Sequence, residues 1–347
     1  MDKILSIIIA TYNMEGLLSR CLESLLLSSE FHKLYEVIVV NDGSTDNSSK
    51  VGHQFADSYP DVFRVIDKTN GNYGSCINVG LSEAKGKYIK ILDADDWFDT
   101  SEFQNLLTYL NCNEDVDLVI TNYTKVLKDG TSVVDVKGSY LEYNKVYDES
   151  VMGIGRFKYM AMHAITYNKR VFKGLDYKQT EGVSYTDQEW ILYPMENIHS
   201  IVYLNFNVYQ YLLDRVGQTM DEKQFQKSIG HFSPIIQKML EKFNSINTLS
   251  SPFVDYYKFR LSCVCESVYR MVLLMQSNKS YQNSSELLKK LDETILKSSL
   301  EYYKIMDTFI IRNSMPLCYV KYWRQNNKRY SWFILVLNKL LNCIKGN

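Results

Sequence analysis

Two hydrophobic periods alternate through the first 125 residues, and this alternation limits the possible folds more than any other feature of the chain. Short runs rich in β-branched residues predict buried strands at positions 4–10, 35–40, 63–66, 88–92 and 118–121. The segments between these runs place apolar residues at helical spacing and predict helices. The alternation is typical of βαβ units, so it predicts an α/β fold with a mostly parallel sheet flanked by helices.

Polar residues stand directly after three of the predicted strands. Thr11, Tyr12 and Asn13 follow the first strand, Asp42 follows the second, and residues 93–96 (Asp-Ala-Asp-Asp) follow the fourth. In open α/β sheets, ligands bind at the carboxyl ends of the strands. We therefore expect these residues to meet at one edge of the sheet, although they are far apart in the sequence.

The acids at 93–96 favour a metal site. Asp93, Asp95 and Asp96 would repel one another at the end of a buried strand unless a cation or hydrogen bonds compensate their charge. Carboxylate oxygens suit Mg²⁺ or Mn²⁺, and such a cation offsets the charge of a departing diphosphate. The sequence therefore predicts a divalent metal held by Asp95 and Asp93. The alternative is a surface turn whose acids cap the next helix.

Two residues of the same edge suit a nucleoside. The carboxylate of Asp42 can accept a hydrogen bond from a base or a ribose, and the ring of Tyr12 can stack on a base. The alternatives are an Asx turn at Asp42, with Asp46 capping the next helix, and a tight turn that partly buries the ring of Tyr12. The sequence leaves both alternatives open.

Composition and charge exclude several classes of protein. With 39 Lys and Arg against 40 Asp and Glu, the net charge is −1, which does not suit a general binder of nucleic acid. The seven cysteines are scattered without the spacing of a zinc ribbon or a disulfide framework, and predict reduced thiols in the cytoplasm. No apolar run approaches the length of about 20 residues that spans a bilayer, so we expect no transmembrane segment.

The C-terminal third has a different pattern. We predict one domain over residues 1–220 and a helical domain over residues 221–347, with Ser285 capping a helix at 286–303. After Asp307, the last acid, come seven basic residues and the apolar segment 332–337. Residues 312–347 can therefore lie on an anionic membrane, at the inner face of the plasma membrane, or pack as a C-terminal helix on their own domain.

Taken together, the segments 6–13, 36–46, 70–81 and 86–96 resemble the family 2 glycosyltransferases in order and spacing. The resemblance covers about residues 1–220 and implies the Rossmann-like GT-A fold. It also implies inverting transfer of a hexose or N-acetylhexosamine from a UDP-sugar, with Mn²⁺ or Mg²⁺. The implied acceptor is a hydroxyl of a growing bacterial surface glycan, which can be lipid-linked.

The resemblance also implies roles for single residues. Thr11, Tyr12 and Asp42 match nucleoside-binding positions, with Asn13 beside them, and Asp95 matches the main metal ligand, with Asp93 near the ribose or the metal. The donor-side loop is matched by Asn70, Gly74 and Asn78. Many members carry Arg immediately before the equivalent of Asn78, where this chain has Ile77, and Lys68 or Lys87 could supply the missing charge.

The general base is expected near residue 187. In the segment 185–190, Asp187 matches the catalytic aspartate of the family, with Thr186 in place of the usual Glu. The alternative is simple capping of a helix, and Glu189 and Glu181 compete for the role of base. Two further residues are candidates: Arg215 for contact with the diphosphate and His163 for contact with the acceptor or the metal. Their alternatives are a plain surface loop and a structural histidine.

Two other enzymatic classes and one non-enzymatic class are alternatives to this interpretation. A nucleotidyltransferase usually has a Gly-rich basic loop after its first strand, and a dehydrogenase has G-x-G-x-x-G there, but this chain has no glycine before Gly16. A sugar-nucleotide-binding module without catalytic activity is compatible with Ile77 and Thr186.

Overall fold

The computed structural model describes residues 3–112, 115–138, 140–213, 229–275, 278–312, 316–331, 333–334 and 336. The chain divides into two compact units, Met1–Val216 and Gly217–Asn347. Among the described residues, ten strands of the first unit form one sheet. They are β1 Leu5–Thr11, β2 Tyr35–Asn41, β3 Phe63–Asp67, β4 Tyr88–Ile91, β5 Trp97–Phe98, β6 Leu118–Val126, β7 Ser132–Asp135, β8 Val146–Tyr147, β9 Ile165–Asn168 and β10 Ile201–Leu212.

The sheet is mixed. Its order is β3-β2-β1-β4-β9-β6-β10-β5, with β7 paired to β6 and β8 paired to β10. The strands β3, β2, β1 and β4 run parallel, as the sequence predicts, and β6 is parallel to β10. The antiparallel strands β5 and β9 lie between or beside these. The prediction of an α/β fold with a sheet flanked by helices is confirmed.

In the described part of the first unit, five α-helices follow the strands. They are α1 Leu18–Glu23, α2 Ser48–Ser58, α3 Asn72–Glu83, α4 Thr100–Cys112 and α5 Asp187–Leu192. Helix α3 packs very closely on β1, because a Cβ at Gly80 would stand 2.3 Å from the Cγ2 atom of Ile8. Apolar residues recur at helical spacing over positions 17–27, but helix α1 ends at Glu23. It is shorter because Ser24 bonds to tertiary partners: its Oγ accepts from the backbone N–H of Phe98, and its carbonyl accepts from Thr100.

Backbone hydrogen bonds hold the carboxyl ends of the parallel strands together. The N–H of Asp42 donates to the carbonyl of Thr11 at 2.9 Å, and the N–H of Lys68 donates to the carbonyl of Asn41 at 3.0 Å. The N–H of Leu92 donates to the carbonyl of Ile8 at 3.0 Å. The loops after β1, β2 and β4 therefore share one edge of the sheet, as predicted.

The second unit is largely helical. Its α-helices are α6 Phe232–Ile246, α7 Pro252–Arg270, α8 Asn278–Ser298, α9 Leu300–Met306 and α10 Tyr319–Asn326, and it has a hairpin of β11 Ile310–Arg312 and β12 Pro316–Cys318. The predicted cap at Ser285 is wrong, because Ser285 lies inside α8. The predicted helix at 286–303 is interrupted at Ser299, between α8 and α9. The side chain of Ser299 accepts from the N–H of Tyr302 and caps α9.

The basic tail, residues 312–347, is partly packed inside this unit. Tyr319, Val320 and Trp323 of α10 are buried, and the guanidinium of Arg324 forms ion pairs with Asp292 and Asp307. Residues 313–315, 332, 335 and 337–347 lie outside the described residues. No helix in the described part of the chain has the length and hydropathy needed to cross a bilayer.

Candidate active site

The acids that follow β4 occupy a partly buried corner of the sheet edge. The side chain of Asp96 is held at both oxygens, because the hydroxyl of Tyr209 donates to Oδ2 at 2.7 Å and the N–H of Leu212 donates to Oδ1 at 2.8 Å. The Tyr209 oxygen also accepts from the N–H of Asp93 at 3.1 Å. The hydroxyl of Tyr73 donates to Oδ1 of Asp93 at 2.8 Å. Two tyrosines of distant elements, one on α3 and one on β10, therefore fix the acidic turn at residues 93–96.

The electrostatics of this turn favour a bound cation. Burial, and then repulsion by Asp95, raise the pKa of Asp93 to about 7. Burial also raises the pKa of Asp96 well above its ordinary value, and the charges of Asp93 and Asp95 add to the effect. Carboxylates that resist ionisation in this way are stabilised as anions when a positive charge is placed between them.

His163 completes a set of three metal-ligating groups. It lies in a short 3₁₀ turn, Met162–Ala164, and one ligand atom each from Asp93, Asp96 and His163 lie within 4.8 Å of one another. The imidazole stacks on the ring of Tyr211 with a centroid distance of 4.4 Å. Its Nδ1 atom is buried and makes no hydrogen bond to the described residues. A buried ring nitrogen that makes no hydrogen bond to the described residues, on a histidine grouped with two carboxylates, fits a divalent cation.

The charge state of His163 agrees with this role. Burial, and then the charge of Lys90, lower its pKa to about 3. The imidazole is therefore neutral near pH 7, and a ring nitrogen keeps a lone pair for a cation. The ammonium of Lys90, itself fully buried, donates to the carbonyls of His163 at 3.0 Å and Ile165 at 3.1 Å. Lys90 thus fixes the turn that presents the histidine.

Asp187 is the first residue of α5 and faces this cluster from another direction. Its negative charge raises the pKa of Asp93 and of Tyr73, so the three side chains share one electrostatic environment. The amide of Gln188 donates to its Oδ2 at 2.9 Å. The sequence predicts Asp187 as the base, and the fold brings it close to the predicted metal ligands.

The two competitors for the role of base are used elsewhere. Glu189 is completely buried, and its carboxylate accepts from the N–H of Thr180 at 2.6 Å and from the Thr180 hydroxyl at 3.0 Å. Glu181 accepts from the amide of Asn78 at 3.0 Å and pairs with Lys178 at 3.1 Å. Both carboxylates therefore hold neighbouring backbone and side chains.

The residues predicted to hold a nucleoside gather after β1 and β2. Tyr12 is 47% exposed, so its ring can receive a base. Thr11 is buried, with an exposure of 1%. Asn13 joins the two loops, because its Oδ1 accepts from the N–H of Thr45 at 2.8 Å. Oδ1 of Asp42 accepts from the ammonium of Lys68 at 2.7 Å and from the N–H of Gly71 at 2.9 Å. The predicted cap at Asp46 is present, because its carboxylate accepts from the N–H of Ser48 at the start of α2.

The predicted donor-side loop folds back on the segment before α5. The amide of Asn70 donates to the carbonyl of Asp42 at 3.0 Å, which joins this loop to the loop after β2. A Cβ at Gly74 would stand 2.4 Å from the carbonyl oxygen of Thr180. Asn78 makes two hydrogen bonds with the backbone of Gln179. In the structure, Gly74 and Asn78 therefore contact protein groups.

The two lysines considered as substitutes for an arginine at 77 lie at opposite ends of the sheet. Lys68 follows β3 at the carboxyl edge and also donates to Ser75 at the start of α3. Lys87 precedes β4, at the amino edge, and pairs with Asp115. Lys68 is therefore the lysine that can supply positive charge near the site. Arg215 lies outside the described residues.

Sequence reasoning missed the tyrosines of the site. Tyr73, Tyr209 and Tyr211 each contact or face the acids, but the chain has 27 tyrosines, so residue type alone does not single them out. The one available signal is that Tyr209 and Tyr211 are two positions apart on β10, where the side chains of residues i and i+2 share a face.

Comparison with known proteins indicates a family of glycosyltransferases. Residues 6–175 match the model of glycosyl transferase family 2. EpsH of Bacillus subtilis, whose name describes a glycosyltransferase, is 25% identical over 326 residues, which cover 93% of this chain and 78% of EpsH. An uncharacterized glycosyltransferase of Mycoplasma pneumoniae is 38% identical over 106 residues, but the match spans 30% of this chain and only 35% of that relative's length.

A solved structure shares the fold. The crystal structure of S. aureus TarS 1–349 in complex with UDP-GlcNAc superposes with a TM-score of 0.59 at 17% sequence identity, and the alignment covers 94% of this chain and 93% of TarS 1–349. The residues matched by the family model include the loops after β1, β2 and β4 that form the sheet edge. The chain belongs to glycosyl transferase family 2 and has the GT-A fold.

Proposed function

We propose that this chain is an inverting glycosyltransferase that moves a hexose or N-acetylhexosamine from a UDP-sugar to a hydroxyl of a bacterial surface glycan. The observation that carries the proposal is the cluster of Asp93, Asp96 and His163 at the carboxyl edge of the sheet, with Asp187 near enough for its charge to raise the pKa of Asp93. TarS, which shares the fold, was crystallised in complex with UDP-GlcNAc, and this supports a UDP-sugar as donor. The nucleoside would lie on Tyr12, with Thr11, Asn13 and Asp42 around it.

The cluster fits a divalent cation, Mn²⁺ or Mg²⁺. Two carboxylates and one neutral imidazole form a donor set that Mn²⁺ accepts more readily than Mg²⁺ does. Asp93 and His163 would hold the ion, with Asp96 or the sequence-predicted Asp95 as the further carboxylate. When bound, the ion neutralises charge that develops on a departing diphosphate.

Asp187 would act as the general base. It takes the proton of the acceptor hydroxyl while that oxygen forms a bond to the anomeric carbon of the donor sugar. The bond from this carbon to the diphosphate breaks on the opposite face, and UDP leaves with the electron pair. Attack opposite the leaving group inverts the anomeric centre. The hydroxyls of Tyr73 and Tyr209, whose pKa values burial raises well above 10, keep their protons and hold the acids in place.

A cleft beside the acids suits the acceptor. It has a volume of about 590 Å³, and its walls include Leu17, Arg20, Trp97, Lys128 and Leu212. Trp97 follows the acidic turn directly, and the guanidinium of Arg20 stacks on its ring at 3.8 Å. Apolar walls with two cations fit a glycan carried on a lipid phosphate.

Contact with an anionic membrane through residues 312–347 is part of the proposal. Arg324 cannot contribute, because its charge is used inside the second unit. Deletion of the whole segment would remove that ion pair, so the test uses Lys339→Glu with Lys345→Glu. We expect this double variant to sediment less with vesicles containing anionic lipid, and unchanged sedimentation would contradict membrane contact.

Donor hydrolysis tests the enzymatic proposal. UDP release from UDP-GlcNAc would be measured with Mn²⁺, with Mg²⁺ and with a chelator, for the wild type, Asp187→Asn and Asp95→Ala. We expect Asp187→Asn to lose activity by about 10²- to 10⁴-fold while UDP still raises its melting temperature. The matched control is Asp129→Asn, in the exposed turn after β6.

Two results would change the interpretation. Binding of UDP-GlcNAc without hydrolysis by the wild type would favour a sugar-nucleotide-binding module. A larger shift in melting temperature with GDP- or dTDP-sugars than with UDP-sugars would overturn the donor and keep the class of enzyme.

A further inference from the structure

A four-residue strap, residues 179–182, links the donor-side helix α3 to the helix that carries Asp187. The N–H of Gln179 donates to Oδ1 of Asn78 at 2.8 Å, and the amide of Asn78 donates back to the Gln179 carbonyl at 2.9 Å. At the other end, the N–H of Gly182 donates to the carbonyl of Gly71 at 2.8 Å. The strap is therefore bonded at both ends to α3 or to the residue that precedes it.

Glu189 ties the strap to α5. Its side chain is completely buried, and both of its carboxylate oxygens accept hydrogen bonds from Thr180, one from the backbone and one from the hydroxyl. The Thr180 carbonyl in turn lies against Gly74, where a side chain would leave no room. One buried carboxylate thus joins the strap to a helix of only six residues.

Asp187 begins the helix that Glu189 ties to the strap. It stands two residues before Glu189, and Tyr185, with φ of +68°, places the preceding turn in the left-handed region. A non-glycine residue stays in that region when the surroundings hold it there. On the other side of the strap, α3 carries Tyr73, which donates to Asp93.

We infer that Glu189 is a positioning residue, which fixes Asp187 relative to Asp93 through the strap. The inference rests on the proposed role of Asp187 as base. A carboxylate that only filled the core would affect folding, whereas a positioning carboxylate changes the rate through Asp187.

The activity test compares variants at Glu189 with and without Asp187. In Glu189→Gln the side-chain oxygen still accepts from the Thr180 N–H, and the amide can donate to the Thr180 hydroxyl, so we expect kcat for donor hydrolysis within about threefold of wild type. Glu189→Ala loses both bonds, and we expect kcat to fall by about tenfold or more, with the donor KM changed by less than about threefold. Glu102→Ala, at a partly exposed glutamate of α4, is the matched control.

The double variant decides whether the effect passes through Asp187. Under single-turnover conditions with excess enzyme, Glu189→Ala should slow the Asp187→Asn protein by less than about twofold, because the group that it positions is already absent. The inference would be overturned if Glu189→Ala slowed the Asp187→Asn protein by the same factor of about ten. It would also be overturned if Glu189→Ala alone kept the kcat of the wild type. If Glu189→Ala does not fold, Thr180→Val removes only the hydroxyl bond, and we expect a loss of about two- to fivefold.

Hydrogen exchange tests the strap without relying on activity. In Glu189→Ala, peptides covering residues 176–187 should exchange about tenfold faster, while Glu189→Gln stays close to wild type. Unchanged exchange in Glu189→Ala would overturn the strap. If the wild type hydrolyses no donor, the proposed function fails, and hydrogen exchange still decides whether Glu189 holds this segment.

Discussion

At the scale of single residues, the site is defined by how burial acts on a few polar side chains. Asp93 and Asp96 resist ionisation and His163 resists protonation, so the three groups together offer oxygen and nitrogen lone pairs around one point. The sequence predicts Asp93 and Asp95 as ligands and His163 as a candidate for contact with the acceptor or the metal, and the fold groups Asp96 and His163 with Asp93. The two ligand sets make different predictions for His163.

His163→Ala should selectively weaken metal binding by the enzyme. If the imidazole binds the cation, its loss should raise the Mn²⁺ concentration for half-maximal donor hydrolysis by about 10- to 100-fold. The measurement is a Mn²⁺ titration of UDP release. His199→Ala, at an imidazole with a side-chain exposure of 74%, is the control. A titration curve that shifts in Asp95→Asn and not in His163→Ala would favour the ligand pair predicted from the sequence.

Lys90 should make stability depend on pH. Burial lowers its pKa from 10.5 to about 7. Between these values the unfolded chain holds a proton that the folded chain lacks, so the free energy of unfolding rises with pH. Between pH 7 and 9, the free energy of unfolding of the wild type should rise relative to that of Lys90→Met by up to about 1.4 kcal/mol per pH unit.

Urea unfolding at pH 7, 8 and 9 measures this difference. Lys85→Met, at an exposed position before β4, is the control and should run parallel to the wild type. Parallel curves for the wild type and Lys90→Met would show that Lys90 keeps an ordinary pKa in the folded state.

At the scale of elements, backbone contacts decide how the helices meet their neighbours. Glycines stand where α3 approaches other parts of the chain, with Gly80 against Ile8 of β1 and Gly74 against the strap. The hydrophobic period predicts α3 but not these approaches, because a missing Cβ leaves no mark in a pattern of apolar residues. A helix boundary can also be absent from the hydrophobic period. The sequence places one helix at 286–303, whereas the structure ends α8 at Ser298 and begins α9 at Leu300.

Gly74→Ala should destabilise the protein although alanine is the better helix former. The gain in helix propensity is about 1 kcal/mol. The new Cβ would meet a backbone oxygen at 2.4 Å, and such overpacking typically costs about 1–3 kcal/mol. We expect a net loss of up to about 2 kcal/mol in the free energy of unfolding by urea.

The matched control for this substitution is Gly16→Ala. No heavy atom other than those of its chain neighbours lies within 4 Å of a Cβ at position 16. Its stability should stay within about 0.5 kcal/mol of wild type. Equal free energies of unfolding for the two variants would mean that the strap moves away from the new Cβ without destabilising the protein.

At the scale of the whole molecule, each unit has its own buried polar centre. In the second unit, Arg324 pairs with Asp292 at 2.6 Å and Asp307 at 2.8 Å and donates to the carbonyl of Tyr303, with only 9% of its side chain exposed. Asp292 also accepts from the hydroxyl of Tyr269. This network connects α7, α8, α9 and α10 and draws one charge of the basic tail into the interior.

Arg324→Ala should unfold the second unit more easily. Removal of one partner leaves an uncompensated buried carboxylate, which costs about 3–5 kcal/mol. Urea unfolding followed by tryptophan fluorescence measures the loss, since Trp323 is buried in α10. Lys321→Ala, at an exposed position of the same helix, is the control, and a loss below about 1 kcal/mol in Arg324→Ala would contradict the role of the network.

The amino-acid sequence alone was enough to predict the alternating strands and helices of the first unit and the polar loops at one edge, because hydrophobic period and strand ends are local properties. It also indicated Asp93, Asp95 and Asp187, through motifs whose spacing is local. The partners of these acids became known only from the folded chain. Tyr73, His163 and Tyr209 reach the acids from α3, a 3₁₀ turn and β10, and Glu189 becomes a structural group only because Thr180 folds over it. Such contacts depend on burial and on the packing of distant elements, which no local pattern encodes.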